Sequence, residues 1–248
     1  MFALLMGRLF ARPPDARDAI LTGMDNLTKR ALVGALRFQL ALAALIFVPA
    51  WSLTFWQGWL YWLVMLAGML VITLYFLKHD PALIERRIKA GPRAERQPRQ
   101  KLIQVLAALL ACALIVVSAL DHRFGWSSVP PSLVIGGDAL VALGYAIVFL
   151  VFHENSFTSA VIEVGVGQQV VTTGPYALVR HPMYAGTFLA FLGTPIALGS
   201  WWGLVSAILL AGLTVWRLRD EEEYLDRNLA GYADYRRNVR WRLVPWLW

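Results

Sequence analysis

Read for the order of apolar and polar positions, the chain divides into long apolar runs separated by polar breaks. Runs near 32–54, 57–77, 102–120, 132–152, 183–199 and 201–216 are continuous rather than alternating. A spanning helix needs roughly 20 apolar residues, so the pattern predicts about six transmembrane helices. The last two runs are short and suit a tilted hairpin, or a re-entrant pair shielded by protein. Helices are expected because lipid cannot satisfy open backbone groups; barrel strands would alternate over ~10 residues. The expected fold is an all-α integral membrane protein with a C-terminal interfacial helix and no Rossmann domain. Residues 1–31 read as an interfacial or mobile leader. The apolar stretch Met1–Phe10 is short, and Arg12-Pro13-Pro14-Asp15 follows it without a small-residue cleavage site.

Composition agrees with the pattern. The chain of 248 residues is 58% hydrophobic and 16% charged, with a mean hydropathy of +0.55. A soluble domain has about 45–50% apolar and about 25% charged residues. The net charge is +7, and its placement predicts orientation. Of 23 Lys and Arg, eight fall in 78–101, seven in 217–242 and five in the leader, and Arg123 alone falls in a segment read as outside. The positive-inside rule then puts both termini and the 78–101 and 153–182 loops in the cytoplasm. The basic residues are juxtamembrane, which suits anionic lipid headgroups and gives no case for nucleic acid. The single Cys112 has no Cys or His at metal-ligand spacing, and no metal site is expected.

Two charged clusters bracket the last apolar hairpin. The first is Gly174-Pro175-Tyr176 followed by Arg180-His181-Pro182-Met183-Tyr184. Gly-Pro signals a turn, and Pro182 suits the first turn of a helix. The N-terminus of that helix offers free N–H groups and partial positive charge. With Arg180 and His181 beside it, this is a candidate anion site; a snorkelling arginine over a proline cap explains the motif equally well. Gly186 and Gly193 share a helical face and would admit a close neighbour, whether a helix or a flat ligand. The second cluster runs from Arg217 through Arg219-Asp220-Glu221-Glu222-Glu223. Arg217, Asp220, Glu221 and Tyr224 fall on one helical face. Arg217 and Arg219 are placed to hold Glu221 and Glu222. A solvated face is one reading; the other turns a carboxylate inward to receive a ligand ammonium or hydroxyl.

The remaining features are weaker. The tail Tyr224–Trp248 mixes Tyr232, Tyr235, Trp241, Trp246 and Trp248 with arginines, which marks an interfacial helix serving as anchor or lid. His79-Asp80-Pro81 opens a short helix over Ala82–Lys89, ended by Gly91-Pro92, that could cover a site. His153-Glu154 reads as structural, and Asp138 as an acid near the outer end of its span. There is no P-loop, no dinucleotide turn, no His-Glu-x-x-His and no Gly-x-Ser-x-Gly.

Taken together, Gly174-Pro175-Tyr176, Arg180-His181-Pro182-Met183-Tyr184-Ala185-Gly186, Arg217, Glu221-Glu222 and Tyr232-Ala233-Asp234-Tyr235 resemble the isoprenylcysteine carboxyl methyltransferase family. That family is related to the phospholipid N-methyltransferases. The resemblance covers roughly 172–245. It implies an S-adenosylmethionine-dependent methyltransferase whose cofactor lies between the last two spans and the C-terminal helix, on the cytoplasmic side. Position by position it implies Tyr176, Arg180, His181, Pro182, Tyr184, Gly186, Glu221 and Glu222 as cofactor-binding residues, with Arg180 and Glu221 also catalytic. The expected organisation is a leader at 1–31, four spans at 32–152 and a cofactor-binding region at 153–248. The expected partners are membrane lipid and a lipophilic acceptor: a thiol, a carboxylate or an amine. The family's Trp and Gln after the Arg-His-Pro motif look like Thr187 and Pro195 here, and its Phe-Gly looks like Asn228-Leu229; these departures concern the acceptor. The rival readings are a phospholipid amine N-methyltransferase, a sterol-reductase-like enzyme using nicotinamide, and a non-catalytic lipid- or small-molecule-binding membrane protein.

Overall fold

The computed structural model describes residues 26–88, 95, 98–159, 162, 164–165 and 167–248. The leader sequence before Asn26 and the Gly91-Pro92 turn lie outside the described residues. Eight α-helices form: α1 (Asn26–Ala50), α2 (Trp56–His79), α3 (Pro81–Ile88), α4 (Pro98–Phe124), α5 (Pro131–Glu154), α6 (Pro182–Ala197), α7 (Gly203–Asn228) and α8 (Tyr232–Asn238). A 3₁₀ turn at Gly174–Ala177 precedes α6. No strand forms among the described residues.

Among the described residues, four helices, α1, α2, α4 and α5, are long and apolar enough to cross a membrane, which supports an integral membrane protein. The expected fifth and sixth runs form the hairpin α6–α7. At 16 residues, α6 rises about 24 Å, less than the ~30 Å hydrocarbon core. Helix α7 is longer than its apolar run because it continues unbroken through the charged cluster to Asn228. The carboxylates of that cluster therefore ride on the same rigid element as an apolar wall. The C-terminal helix is shorter than the sequence suggests. Helix α8 stops at Asn238, and the remaining tail folds back, with Arg180 N–H donating to the Trp241 carbonyl at 2.9 Å and His181 N–H to that of Arg242 at 2.9 Å.

The core is shared by α1, α2, α4, α5 and α7. Phe38, Leu42, Ile46, Tyr61, Met65, Leu114, Ile115, Val141 and Ala207 bury together. Leu36, Leu40, Val71, Leu74, Leu109, Ile208 and Leu209 are exposed, as lipid-facing side chains of a bundle are. Trp51, Trp56, Trp59, Trp126, Trp201 and Trp202, all partly or largely exposed, lie at or beside the turns α1–α2, α4–α5 and α6–α7. This is the placement of an aromatic belt.

Helices α5 and α6 approach most closely through glycine. A Cβ at Gly144 would lie 2.5 Å from the Gly186 carbonyl oxygen, and one at Gly186 would lie 2.8 Å from that of Gly144 and 3.1 Å from Ile147 Cβ. The obstacle is backbone and cannot swing away. Gly186→Ala is expected to lower stability by about 1–3 kcal/mol, read as a lower melting temperature in detergent. Gly212→Ala on α7, where nothing lies within 4 Å, is the control and should be neutral or stabilising.

Candidate functional site

The site is built where α6 begins and the charged part of α7 passes it. A cleft of about 810 Å³, its open mouth included, is lined by Asn155, Tyr176, Arg180, His181, Pro182, Met183, Tyr184 and Glu221, with Leu225, Leu229 and Tyr235 on the far side. Gly174 starts the 3₁₀ turn with φ +55, a conformation L side chains avoid. That turn delivers Tyr176, whose hydroxyl accepts from Asn155 Nδ2 at 3.2 Å and whose carbonyl accepts from the Tyr235 hydroxyl at 2.7 Å. Burial, chiefly, pushes the Tyr176 phenol up to about 12.

The two clusters meet. Glu222, with 6% side-chain exposure, meets two guanidiniums and an imidazole. Arg180 Nε stands 3.1 Å from Oε1 as an ion pair without hydrogen-bond alignment. His181 Nε2 lies 3.3 Å from the same oxygen, and Arg242 Nε donates to Oε2 at 2.9 Å. Burial opposes ionisation of Glu222, but the hydrogen bonds from His181 and Arg242 and the charges of His181 and Arg180 outweigh it and hold the carboxyl at about 2. For Arg180, burial is the main influence and draws the guanidinium below its ordinary range, against the pull of Glu222. The anion that meets Arg180 and His181 is thus supplied by the chain itself, and the partners of Glu222 are Arg180, His181 and Arg242 rather than Arg219.

Glu221 is arranged differently. It lines the cleft, and its one hydrogen bond comes from the Tyr184 hydroxyl. No cation among the described residues reaches it within ion-pair distance. Arg217 steadies it indirectly, donating from Nε to the Tyr184 oxygen at 3.2 Å and from NH1 to Gln100 Oε1 at 3.0 Å. Gln100 in turn donates to Asp220 at 2.9 Å, and Gln104 to Glu95 at 3.1 Å. The N-terminal end of α4 therefore carries a polar ladder that holds the charged part of α7. Gly186 sits apart from the cleft, on the α5–α6 seam.

Sequence reasoning missed Gln100, Gln104, Glu95, Asn155, Arg87 and Arg242. For Gln100 and Gln104 a signal existed: two amides at i, i+4 at the N-terminal end of an apolar helix, where polar groups are retained for a partner. For Arg242 nothing local distinguishes it from its neighbouring arginines.

A family model for phospholipid methyltransferases matches residues 132–231, the stretch holding α5, the 3₁₀ turn, α6 and α7. A protein-S-isoprenylcysteine O-methyltransferase of Schizosaccharomyces pombe is 41% identical over 76 residues, 28% of this chain and 30% of that protein. The nickel-cobalt-cadmium resistance protein NccN of Alcaligenes xylosoxydans xylosoxydans is 32% identical over 76 residues, 29% of this chain and 34% of that protein. The matched stretches span about a third of the length of either relative. Residues 132–231 of this chain thus match the phospholipid methyltransferase family model, and part of the chain is similar in sequence to an isoprenylcysteine O-methyltransferase.

Proposed function

We propose that this chain is an integral membrane methyltransferase that uses S-adenosylmethionine to methylate a lipophilic thiol, carboxylate or amine at the cytoplasmic face. The observation that carries the reading is Glu221, an ion-pair-free carboxylate fixed by Tyr184 on the wall of a cleft within the matched region. The cytoplasmic side is chosen on the Lys and Arg distribution.

The donor set fits the cofactor's chemistry. Glu221 is the carboxylate free to take an ammonium or ribose hydroxyls, and Tyr176, Tyr184, Pro182, Leu225 and Leu229 offer the flat and apolar surface a nucleoside needs. Arg180 and His181 line the same cleft while bound to Glu222, so they keep α6 and α7 in register there. When bound, S-adenosylmethionine supplies an electrophilic methyl group on a sulfonium sulfur. The chain's own residues orient and exclude water, and good orientation alone supplies several kcal/mol. A thiolate or carboxylate acceptor arrives already anionic and needs no base. An amine acceptor must lose a proton, and Glu221 is the carboxylate placed to take it.

Incubation of the purified chain with methyl-labelled S-adenosylmethionine and a panel of lipophilic thiols, acids and amines tests this. Label should pass to at least one class. Label in amine lipids alone would select the phospholipid N-methyltransferase reading. Transfer to no class would favour a non-catalytic binding protein.

A further inference from the structure

Among the described residues beside the cleft, two guanidiniums of α3 meet no carboxylate within ion-pair distance: partly buried Arg86, on the Ser156 carbonyl and the Phe157 ring, and buried Arg87. Arg180 and Arg242 answer Glu222, and Arg217 reaches Glu95 at 3.9 Å. Arg87 of α3 is different. It is 3% exposed, yet every contact of its guanidinium is neutral: the Ser159 carbonyl at 2.9 Å, the Met183 sulfur at 3.8 Å and the Phe152 ring face at 4.8 Å. Its Nε has no acceptor, and no carboxylate among the described residues lies within ion-pair distance. A buried charge without a counter-charge is strongly disfavoured unless something pairs with it.

Arg87 stands against the cleft. Ser159 and Met183, which it touches, are themselves lining residues. Met183 is a flexible, unbranched side chain that yields easily to a ligand. Asp80, whose carboxylate accepts from Leu83 N–H at 3.0 Å, caps the helix that carries Arg87. Glu221 also lines the cleft, with no cation among the described residues within ion-pair distance, so the cleft has an acidic group on its wall and the buried Arg87 behind Ser159 and Met183.

We propose that Arg87 is the anion-recognition residue of this cleft, receiving the carboxylate of a ligand whose cationic or hydroxyl end is held by Glu221. The proposal rests on the ligand site described above. It differs from the expectation that Arg180 and His181 take the anion, because Glu222 already satisfies them. The carboxylate has two possible sources, the cofactor's amino-acid end or an acidic acceptor. Burial above all, with the neighbouring Arg217, draws Arg87 down to about 10, against the pull of Tyr184 and Tyr176, so it stays cationic at neutral pH.

The test uses the purified full chain, wild type, Arg87→Gln and Arg87→Met. The Met variant keeps the unbranched stem of the side chain without its guanidinium, and replacing an unpaired buried charge by an apolar group favours folding. Isothermal titration compares S-adenosylhomocysteine with 5′-methylthioadenosine, which lacks the carboxylate. A second pair, N-acetyl-S-farnesylcysteine and its primary amide, needs no cofactor. Each variant should weaken a carboxylate-bearing probe by roughly 10- to 150-fold and leave its carboxylate-free counterpart unchanged, without a lower melting temperature. Loss for S-adenosylhomocysteine puts the cofactor's carboxylate on Arg87, and loss for the farnesyl acid puts the acceptor's there. Unchanged affinity for all four probes overturns the proposal. So does equal loss for both members of each pair with a lower melting temperature, which would confine Arg87 to holding the Ser159 loop. Wild type that binds none of the four also overturns it. If wild type binds neither nucleoside but separates acid from amide through Arg87, the cofactor reading fails and the anion site stands.

Discussion

Glu222→Ala is expected to destabilise the folded chain by about 3–5 kcal/mol, the usual loss when one partner of a buried charge group is removed. Three side chains converge on this carboxylate, Arg180 and His181 from the start of α6 and Arg242 from the tail. Without it, the Arg180 guanidinium, 8% exposed, loses its counter-charge and the His181 ring, 6% exposed, loses its carboxylate partner. The tail loosens too, because Arg242 is pinned at both ends: its side chain by Glu222 and its carbonyl by His181 N–H. Chemical or thermal unfolding in detergent should show the loss. A change within about 0.5 kcal/mol, the range of ordinary surface substitutions, would mean that the carboxylate is not the pin.

The same carboxylate sets an acid limit. Its folded value of about 2 lies below the ordinary 4.5, so its contribution is fully present above pH 4.5. It is lost as pH falls from 4.5 through 2, because the unfolded chain then binds a proton that the folded one resists. The wild-type melting temperature should fall across that window. In Glu222→Gln this component of the fall should be missing.

Glu221→Gln should do the opposite. Glutamine keeps an oxygen for the Tyr184 hydroxyl, and no cation is orphaned, so the melting temperature should stay near that of wild type. Ligand binding should suffer, because charge-assisted contacts are worth about 1.5–3 kcal/mol, a loss of roughly 10- to 150-fold. Methyl transfer should fall at least as far, since misplacement of the reacting groups adds to weaker binding. Neighbouring glutamates, one residue apart, are thus expected to separate stability from function.

Why these two differ was not legible in the sequence. Helical periodicity places Glu221 and Glu222 on different faces, roughly 100° apart, but not which face meets α6. That depends on the tilt of the hairpin, set by the glycine contacts of α5 with α6 and by the Gln100 and Gln104 ladder. The apolar runs were legible because lipid permits few alternatives, and Pro182 marked the start of α6 where it lies. Gly186 lies on the helix seam, one of the two roles its position in the sequence allowed, and a glycine at a seam looks the same in sequence as one under a ligand. The extent of α7 was hidden because its charged half carries no apolar signal, and the back-folded tail because its backbone bonds to residues 180 and 181 are distant in sequence.

The most direct measurement is isothermal titration of the purified wild-type chain with S-adenosylhomocysteine, with Glu221→Gln beside it. Saturable binding below millimolar, weakened roughly 10- to 150-fold in the variant, is the predicted result. No binding to the wild type, or equal binding to both proteins, would contradict the assignment of Glu221 to a methyl-donor site.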